Sequence, residues 1–247
     1  MRVLGVIPAR YQSNRLPGKP LMDLCGKTMI HRVYDCAKKA RFLDEVIVAT
    51  DDERILREVE SFGGKAELTS DAHQTGFDRT AELADRYDCQ YVACIHGDEP
   101  QIMPEIIDEV VGALLLDKKQ NMTMACHEIT GNRERVESRN VVKVVCDING
   151  NALMFSRSPI PYPRFNPYYQ VFEGIGVFAF TKEFLMRYVS LPKTPLSLTE
   201  EIEELKVTEN GYPLKVIKTR FPYTPPSVNT PEDLEQVRKL VKAYGLD

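Results

Sequence analysis

The sequence contains no tryptophan, no Cys-x-x-Cys pair and no apolar run approaching the ~20 residues that a bilayer-spanning helix requires. Six cysteines, Cys25, Cys36, Cys89, Cys94, Cys126 and Cys146, are scattered without histidines at zinc-binding spacing. A zinc module is therefore excluded, and reduced core thiols are expected. Charge of one sign is also lacking, since Lys+Arg 32 nearly balance Asp+Glu 36 for a formal net charge of −4. That balance excludes the basic footprint of a nucleic-acid binder, although a few placed cations suffice for a small anionic ligand. The opening Val3-Leu4-Gly5-Val6-Ile7 is one strand's worth of apolar residues, too short for a secretory signal. The expected location is the cytoplasm, with no membrane and no nucleic-acid partner. Internal repeats, low-complexity stretches and the phosphate-loop spacing G-x-x-x-x-G-K-S/T are absent too.

What is present is an alternation of short Val/Ile-rich runs with helix-like periodic segments: Val3 to Ile7 then Thr28 to Ala40, Glu45 to Ala49 then Asp52 to Phe62, Tyr91 to Ile95 then Pro104 to Leu116. This rhythm predicts an α/β fold with a doubly wound, mostly parallel sheet. After about residue 120 strand candidates dominate (Met122 to Ile129, Val141 to Cys146, Ala152 to Phe155, Gly174 to Phe180), which predicts a smaller β-rich insertion. Ser158 to Pro167 holds four of the 16 prolines and is expected to form an irregular arm. Helical periodicity returns at Thr199 to Thr208, and Pro231 opens a last helix through Tyr244.

Ligands of such sheets gather at the carboxyl ends of the strands, which puts weight on Pro8-Ala9-Arg10, Thr50-Asp51-Asp52 and His96-Gly97-Asp98-Glu99-Pro100. The loop from Pro8 to Pro20 carries Arg10, Arg15 and Lys19 with Ser13 and Gly18 between them. Three cations and free backbone amides suit a triphosphate; a solvated basic loop is the competing reading. Asp98, at the end of a buried-looking strand, is placed to hold Mg²⁺ against phosphate oxygens, because that ion uses one or two protein carboxylates and keeps waters. A plain turn is the alternative. His73 can be a capping or packing histidine as readily as a ligand.

Pro8-Ala9-Arg10 through Arg15-Leu16-Pro17-Gly18-Lys19-Pro20-Leu21 resembles the N-terminal signature of the 3-deoxy-manno-octulosonate cytidylyltransferases, the CMP-Kdo synthetases. The likeness continues in the family's order through Ala49-Thr50-Asp51, His73-Gln74-Thr75-Gly76, Gly97-Asp98-Glu99-Pro100, Val142-Lys143-Val144-Val145, Phe155-Ser156-Arg157-Ser158-Pro159-Ile160-Pro161 and Thr230-Pro231-Glu232-Asp233-Leu234. It implies one cytidylyltransferase domain over 1–247, with a CTP-binding part at 1–120, a β-rich acceptor and dimer part at about 121–190, and a return to the main domain at 191–247. It also implies Mg²⁺ as cofactor, CTP and a small acidic acceptor as ligands, and a homodimer. By the resemblance, Arg10, Lys19 and Asp98 serve the chemistry, and Arg10, Ser13, Arg15, Lys19, Thr75 and Gly76 bind the nucleotide. Arg79, Gln101, Arg157, Arg164, Glu200, Glu203 and Glu204 would serve the acceptor, and Asp98 with Asn229 the metal.

Departures from the family pattern cluster on the acceptor side. Phe77 stands where a hydroxyl is usual, and Gly174 and Phe178 replace the imidazole and phenol of His-x-Gly-x-Tyr. Glu204 replaces a Gln, Lys206 an Arg, and Asn229 an aspartate. Losing two polar partners implies a poorer fit to Kdo itself, so a Kdo variant, an amino-sugar acid or a phosphonate is the alternative acceptor. A non-catalytic nucleotide-binding relative is the alternative of another class.

Overall fold

The computed structural model describes residues 2–12, 16–223 and 226–244. The Val/Ile runs become strands β1 (Val3–Ala9), β2 (Glu45–Thr50), β3 (Ala66–Leu68) and β4 (Tyr91–Ile95), all parallel, followed later by β5 (Met122–Glu128), β6 (Lys143–Cys146), β7 (Ala152–Ser156), β8 (Phe172–Thr181) and β9 (Lys215–Lys218). The main path of the sheet runs β3-β2-β1-β4-β8-β5-β9. Only β8 opposes the rest of that path, pairing antiparallel with both β4 and β5. β5 and β8 therefore lie inside the main sheet. The strands off the path are β6 and β7, a hairpin joined to the sheet where β6 meets the start of β8, at Lys143↔Glu173 and Val144↔Phe172.

Both faces of the sheet are covered, as parallel strands require. Alternate residues of β1 point to opposite sides: Val3, Ile7 and Ala9 join one core with helices α1 (Met29–Lys38), α2 (Glu53–Ser61) and α4 (Pro104–Leu116), while Leu4 and Val6 join the other. That second core takes α3 (Gly76–Asp85), α6 (Lys182–Ser190) and α8 (Glu203–Glu209). The short α5 (Arg133–Glu137) lies before the β6–β7 hairpin. The last helix, α9 (Pro231–Tyr244), packs Leu234, Val237 and Val241 on Leu16, Leu24 and Met29. None of the described helices is long and apolar enough to cross a membrane.

Sequence boundaries hold where caps mark them. Thr28 and Asp52 stand just outside α1 and α2 and accept from the backbone N–H of His31 and Arg54. The stretch expected as one helix over Thr199 to Thr208 is instead broken: α7 (Pro195–Glu200) ends at Glu201 in the left-handed region (φ 52°), and α8 starts two residues later. The cause is an arginine. Arg157 donates from Nε to Glu200 O and from a terminal nitrogen to Glu201 O, satisfying the carbonyls that a continuing helix would have used. The arm after β7 is irregular apart from one short 3-10 turn, and it exposes Tyr162, Phe165 and Tyr168.

Candidate active site

The carboxyl ends of β1, β2 and β4 deliver Arg10, Asp51 and the run His96-Gly97-Asp98-Glu99 to one edge. A Cβ at Gly97 would stand 3.1 Å from Pro8 O, a tight approach to backbone, so glycine eases this crossing of β4 past β1. Two adjoining cavities of about 630 and 570 Å³ open there, and Arg10, Thr75, His96, Asp98, Arg157, Glu203 and Asn229 line both.

On one side, Gly18 takes a left-handed conformation (φ 69°) and donates to Tyr11 O, folding the loop back so that Lys19 points at Asp98. Lys19 Nζ lies 2.9 Å from Asp98 Oδ2 and 3.0 Å from Val228 O. Burial alone would raise the Asp98 carboxyl, but the charges of Lys19 and His96 and the Lys19 hydrogen bond outweigh it, and the net shift is downward. Its neighbour behaves oppositely. Glu99 is buried beside the Asp98 charge and is pushed up to about 7, although Tyr223, Ser227 and the Gly176 N–H all donate to it. Two adjacent acids are thus split into an ionised group lining both cavities and a protonatable one, bordering the larger cavity, that ties β8 to Tyr223 and Ser227. Arg10 is exposed at the mouth. Ser13 and Arg15 lie outside the described residues.

Thr75 caps α3, accepting from Asp78 N–H. The amides at the start of that helix are already occupied: Gly76 N–H and Phe77 N–H donate to the two carboxylate oxygens of Glu203 at 3.2 and 3.1 Å. Arg79 borders the second cavity, yet it is 3% exposed. The anion it meets is Asp51 (2.8 Å), with Thr69 Oγ1 at 2.5 Å, so its charge holds β2 to α3. His73 pairs with Glu82, the packing role.

The acceptor-side residues are more tightly bound into the fold than the sequence suggests. Arg157 lines both cavities, but its guanidinium donates to three backbone carbonyls, those of Glu200, Arg139 and Glu201. Its own N–H and the Ser156 hydroxyl donate to the Glu200 carboxylate at 2.7 and 2.6 Å, which places Glu200 behind the site. Glu204 lines the larger cavity, with no side-chain hydrogen bond to another described residue, and burial pushes its carboxyl up to about 7. Gln101 lines neither cavity; its buried amide has no hydrogen-bond partner among the described residues. Arg164 also lines neither and sits exposed in the arm. Asn229 faces both cavities, and its backbone N–H donates to Asp233 in the cap of α9.

The altered positions 77 and 178 are a single packing change. Phe178 is 2% exposed and meets Phe77 edge-on at 4.8 Å, while Phe77 also meets Phe180 and Tyr188 edge-on. Such contacts contribute about 0.5–1.5 kcal/mol each beyond burial. Lys206 lies 4.2 Å over the Tyr188 ring, and burial lowers its pKa. Of the residues that shape this site, the sequence motifs include His96 and Lys143 without giving either a role, and they miss Glu173, whose carboxylate bridges His127 and Arg135. Lys143 is wholly buried, donates to the carbonyls of Ser138, Val141 and Arg157, and is lowered to about 8 by desolvation. A lysine in an otherwise apolar strand was the available signal.

A family model described as cytidylyltransferase matches residues 4–219. The chain is 44% identical over its full length to the 3-deoxy-manno-octulosonate cytidylyltransferase of Fusobacterium nucleatum, 99% of which is covered, and 41% identical to that of Geobacter metallireducens, covered completely. A solved structure of CMP:2-keto-3-deoxy-manno-octonic acid synthetase complexed with CTP superposes with a TM-score of 0.93 at 36% identity, covering 99% of this chain and all of that one. At 16% identity, 4-diphosphocytidyl-2C-methyl-D-erythritol synthase from Anaerococcus prevotii shares the fold, with a TM-score of 0.63 over 98% of this chain and 96% of its own. With the sheet, the ordered motifs and the cleft in agreement, the chain belongs to the 3-deoxy-manno-octulosonate cytidylyltransferase family and is a nucleotidyltransferase.

Proposed function

We propose that this enzyme transfers CMP from CTP to Kdo or a Kdo-like 2-keto sugar acid. The carrying observation is that two adjoining cavities share Asp98, Arg10, Arg157 and Glu203, while Lys19 borders only one of them and Glu204 only the other. The acceptor's anomeric hydroxyl oxygen forms a bond to the α-phosphorus of CTP as the bond to pyrophosphate breaks, and the hydroxyl proton leaves to solvent. Such transfers need positioning and charge neutralisation more than covalent help. Arg10 and Lys19, with Ser13 and Arg15 by resemblance, hold the phosphates; Thr75 and Gly76 border the nucleotide; Arg157 offers its charge to the acceptor's carboxylate.

A divalent cation, Mg²⁺ in our reading, fits the donors present. Asp98 and Asn229 would hold it. No group of three or more His, Cys, Asp or Glu suited to a metal occurs among the described residues, so these two residues would leave the rest of the ion's ligands to phosphate and water, as is usual for it at phosphate sites. Such an ion would supply positive charge at the phosphates, and Lys19, which here pairs with Asp98, stands within the same cavity to meet them. The unpaired thiols suit a reducing cytoplasm, and the exposed Tyr162, Phe165 and Tyr168 of the arm suit a homodimer contact.

The test is pyrophosphate release with CTP, ATP or GTP against Kdo, amino-sugar acids and phosphonates, with products identified by mass spectrometry. The reading expects CMP-Kdo from CTP and Kdo, and little turnover with purine triphosphates. Equal use of ATP, or a phosphonate as the best acceptor, overturns it.

A further inference from the structure

The family pattern carries an imidazole at position 174, and this chain has glycine there. An imidazole nevertheless reaches the same face of the same cavity from the next strand. His96 follows β4 and donates its backbone N–H to Gly176 O at 2.8 Å, continuing the β4–β8 pairing. Its ring lies across Gly176: a Cβ there would stand 2.9 Å from His96 Cβ and 3.0 Å from Cγ and Nδ1, so only a residue without a side chain admits it. Phe178 and Phe77 flank the ring at 5.2 and 6.3 Å, and Nε2 is 3.9 Å from where a Cβ on Gly76 would be. The other three histidines face acids, His31 with Asp35, His73 with Glu82 and His127 with Glu173. Neither ring nitrogen of His96 has a hydrogen-bond partner among the described residues, and the ring borders both cavities. Gly174, Gly176 and Phe178 all line the larger cavity, at an irregularity in the β5–β8 pairing.

We propose that His96 is the acceptor-binding imidazole of this chain, transposed from β8 to β4, and that it hydrogen-bonds a hydroxyl of the sugar acid. This rests on the function proposed above. His96 and the changes at 174 and 178 then act together: Gly174 vacates one placement, Gly176 makes room for the other, and Phe178 braces the ring. Kdo loses less than the changes at 174 and 178 alone imply.

The experiment compares wild type, His96→Ala, His96→Phe and the double variant His96→Ala/Gly174→His. Phe keeps the ring contacts and removes the nitrogens, so it separates hydrogen bonding from packing. A Cβ at 174 meets mainly Met124 Cε, the end of a flexible side chain, at 3.0 Å, so histidine is tolerable there. Both single variants should lose roughly ten- to a hundredfold in kcat/KM for Kdo, chiefly through KM, with CTP affinity by calorimetry changed less than about threefold. The double variant should regain most of the loss. The inference is overturned if both single variants keep the wild-type kcat/KM, if CTP affinity falls in parallel, or if Gly174→His restores nothing. Absence of Kdo turnover in the wild type would instead refute the acceptor reading, before any variant is made.

Discussion

In the function proposed above, the nucleotide edge and the acceptor edge of the cleft are built on different principles. At the nucleotide edge few bonds hold the working side chains: Lys19 rests on Asp98 and one carbonyl, and Arg10 stands exposed. At the acceptor edge the polar groups are already committed, with Arg157 on three carbonyls, Glu200 on two donors and Glu203 on two helix amides. A triphosphate brings its own charge and rewards cations left free to turn toward it. A neutral ring of hydroxyls with one carboxylate rewards a rigid frame, because discrimination comes from polar groups that cannot relax around the wrong partner.

The contrast is most exposed at Asp98, which serves both edges. Asp98→Asn should cost a hundredfold or more in turnover, on the scale of several kcal/mol of lost charge stabilisation, with the melting temperature nearly unchanged. Retained activity at ordinary Mg²⁺ would show that the two edges do not meet there. Next in size, Lys19→Ala should weaken CTP binding by roughly ten- to a hundredfold, the range for losing a charge-assisted bond, while Kdo KM moves little; equal effects on both ligands would erase the distinction between the edges. The smallest effect belongs to Glu204. Its carboxyl is raised from 4.5 to about 7, so the folded protein binds a proton that the unfolded chain releases, and stability is lost as pH rises through that window. Glu204→Gln does not titrate there; its melting temperature should match wild type near pH 4.5 and exceed it by several degrees above pH 7. A pH-independent difference would mean that Glu204 is not held neutral by its surroundings.

Legibility in the sequence follows the same division. The strand ends are readable because a Val/Ile run, a small residue and a charged residue are contiguous, as in Tyr91 through Asp98; the fold class and the Lys19–Asp98 edge emerge from such runs although these two residues are 79 positions apart. The acceptor edge is not readable in this way. Arg79 looks like a free cation until Asp51 closes on it, and Arg157 looks like a clamp until the helix break at Glu201 shows where its donors go. His96 stands in a strand-end run that the sequence marks, but its role becomes visible only when β4 and β8 are paired and Gly176 is found beneath its ring.

Lys143 and Arg157 together hold six main-chain carbonyls, of Ser138, Val141 and Arg157 for the lysine and of Arg139, Glu200 and Glu201 for the arginine. A carbonyl is the same chemical group whatever side chain its residue carries. The bonds from these two cations therefore do not depend on which side chains stand at 138, 139, 141 and 201, although Val141 is also held by the core and Glu201 by its left-handed backbone. An enzyme built this way can change the sugar it accepts by altering the side chains around two fixed cations, with no new backbone to invent.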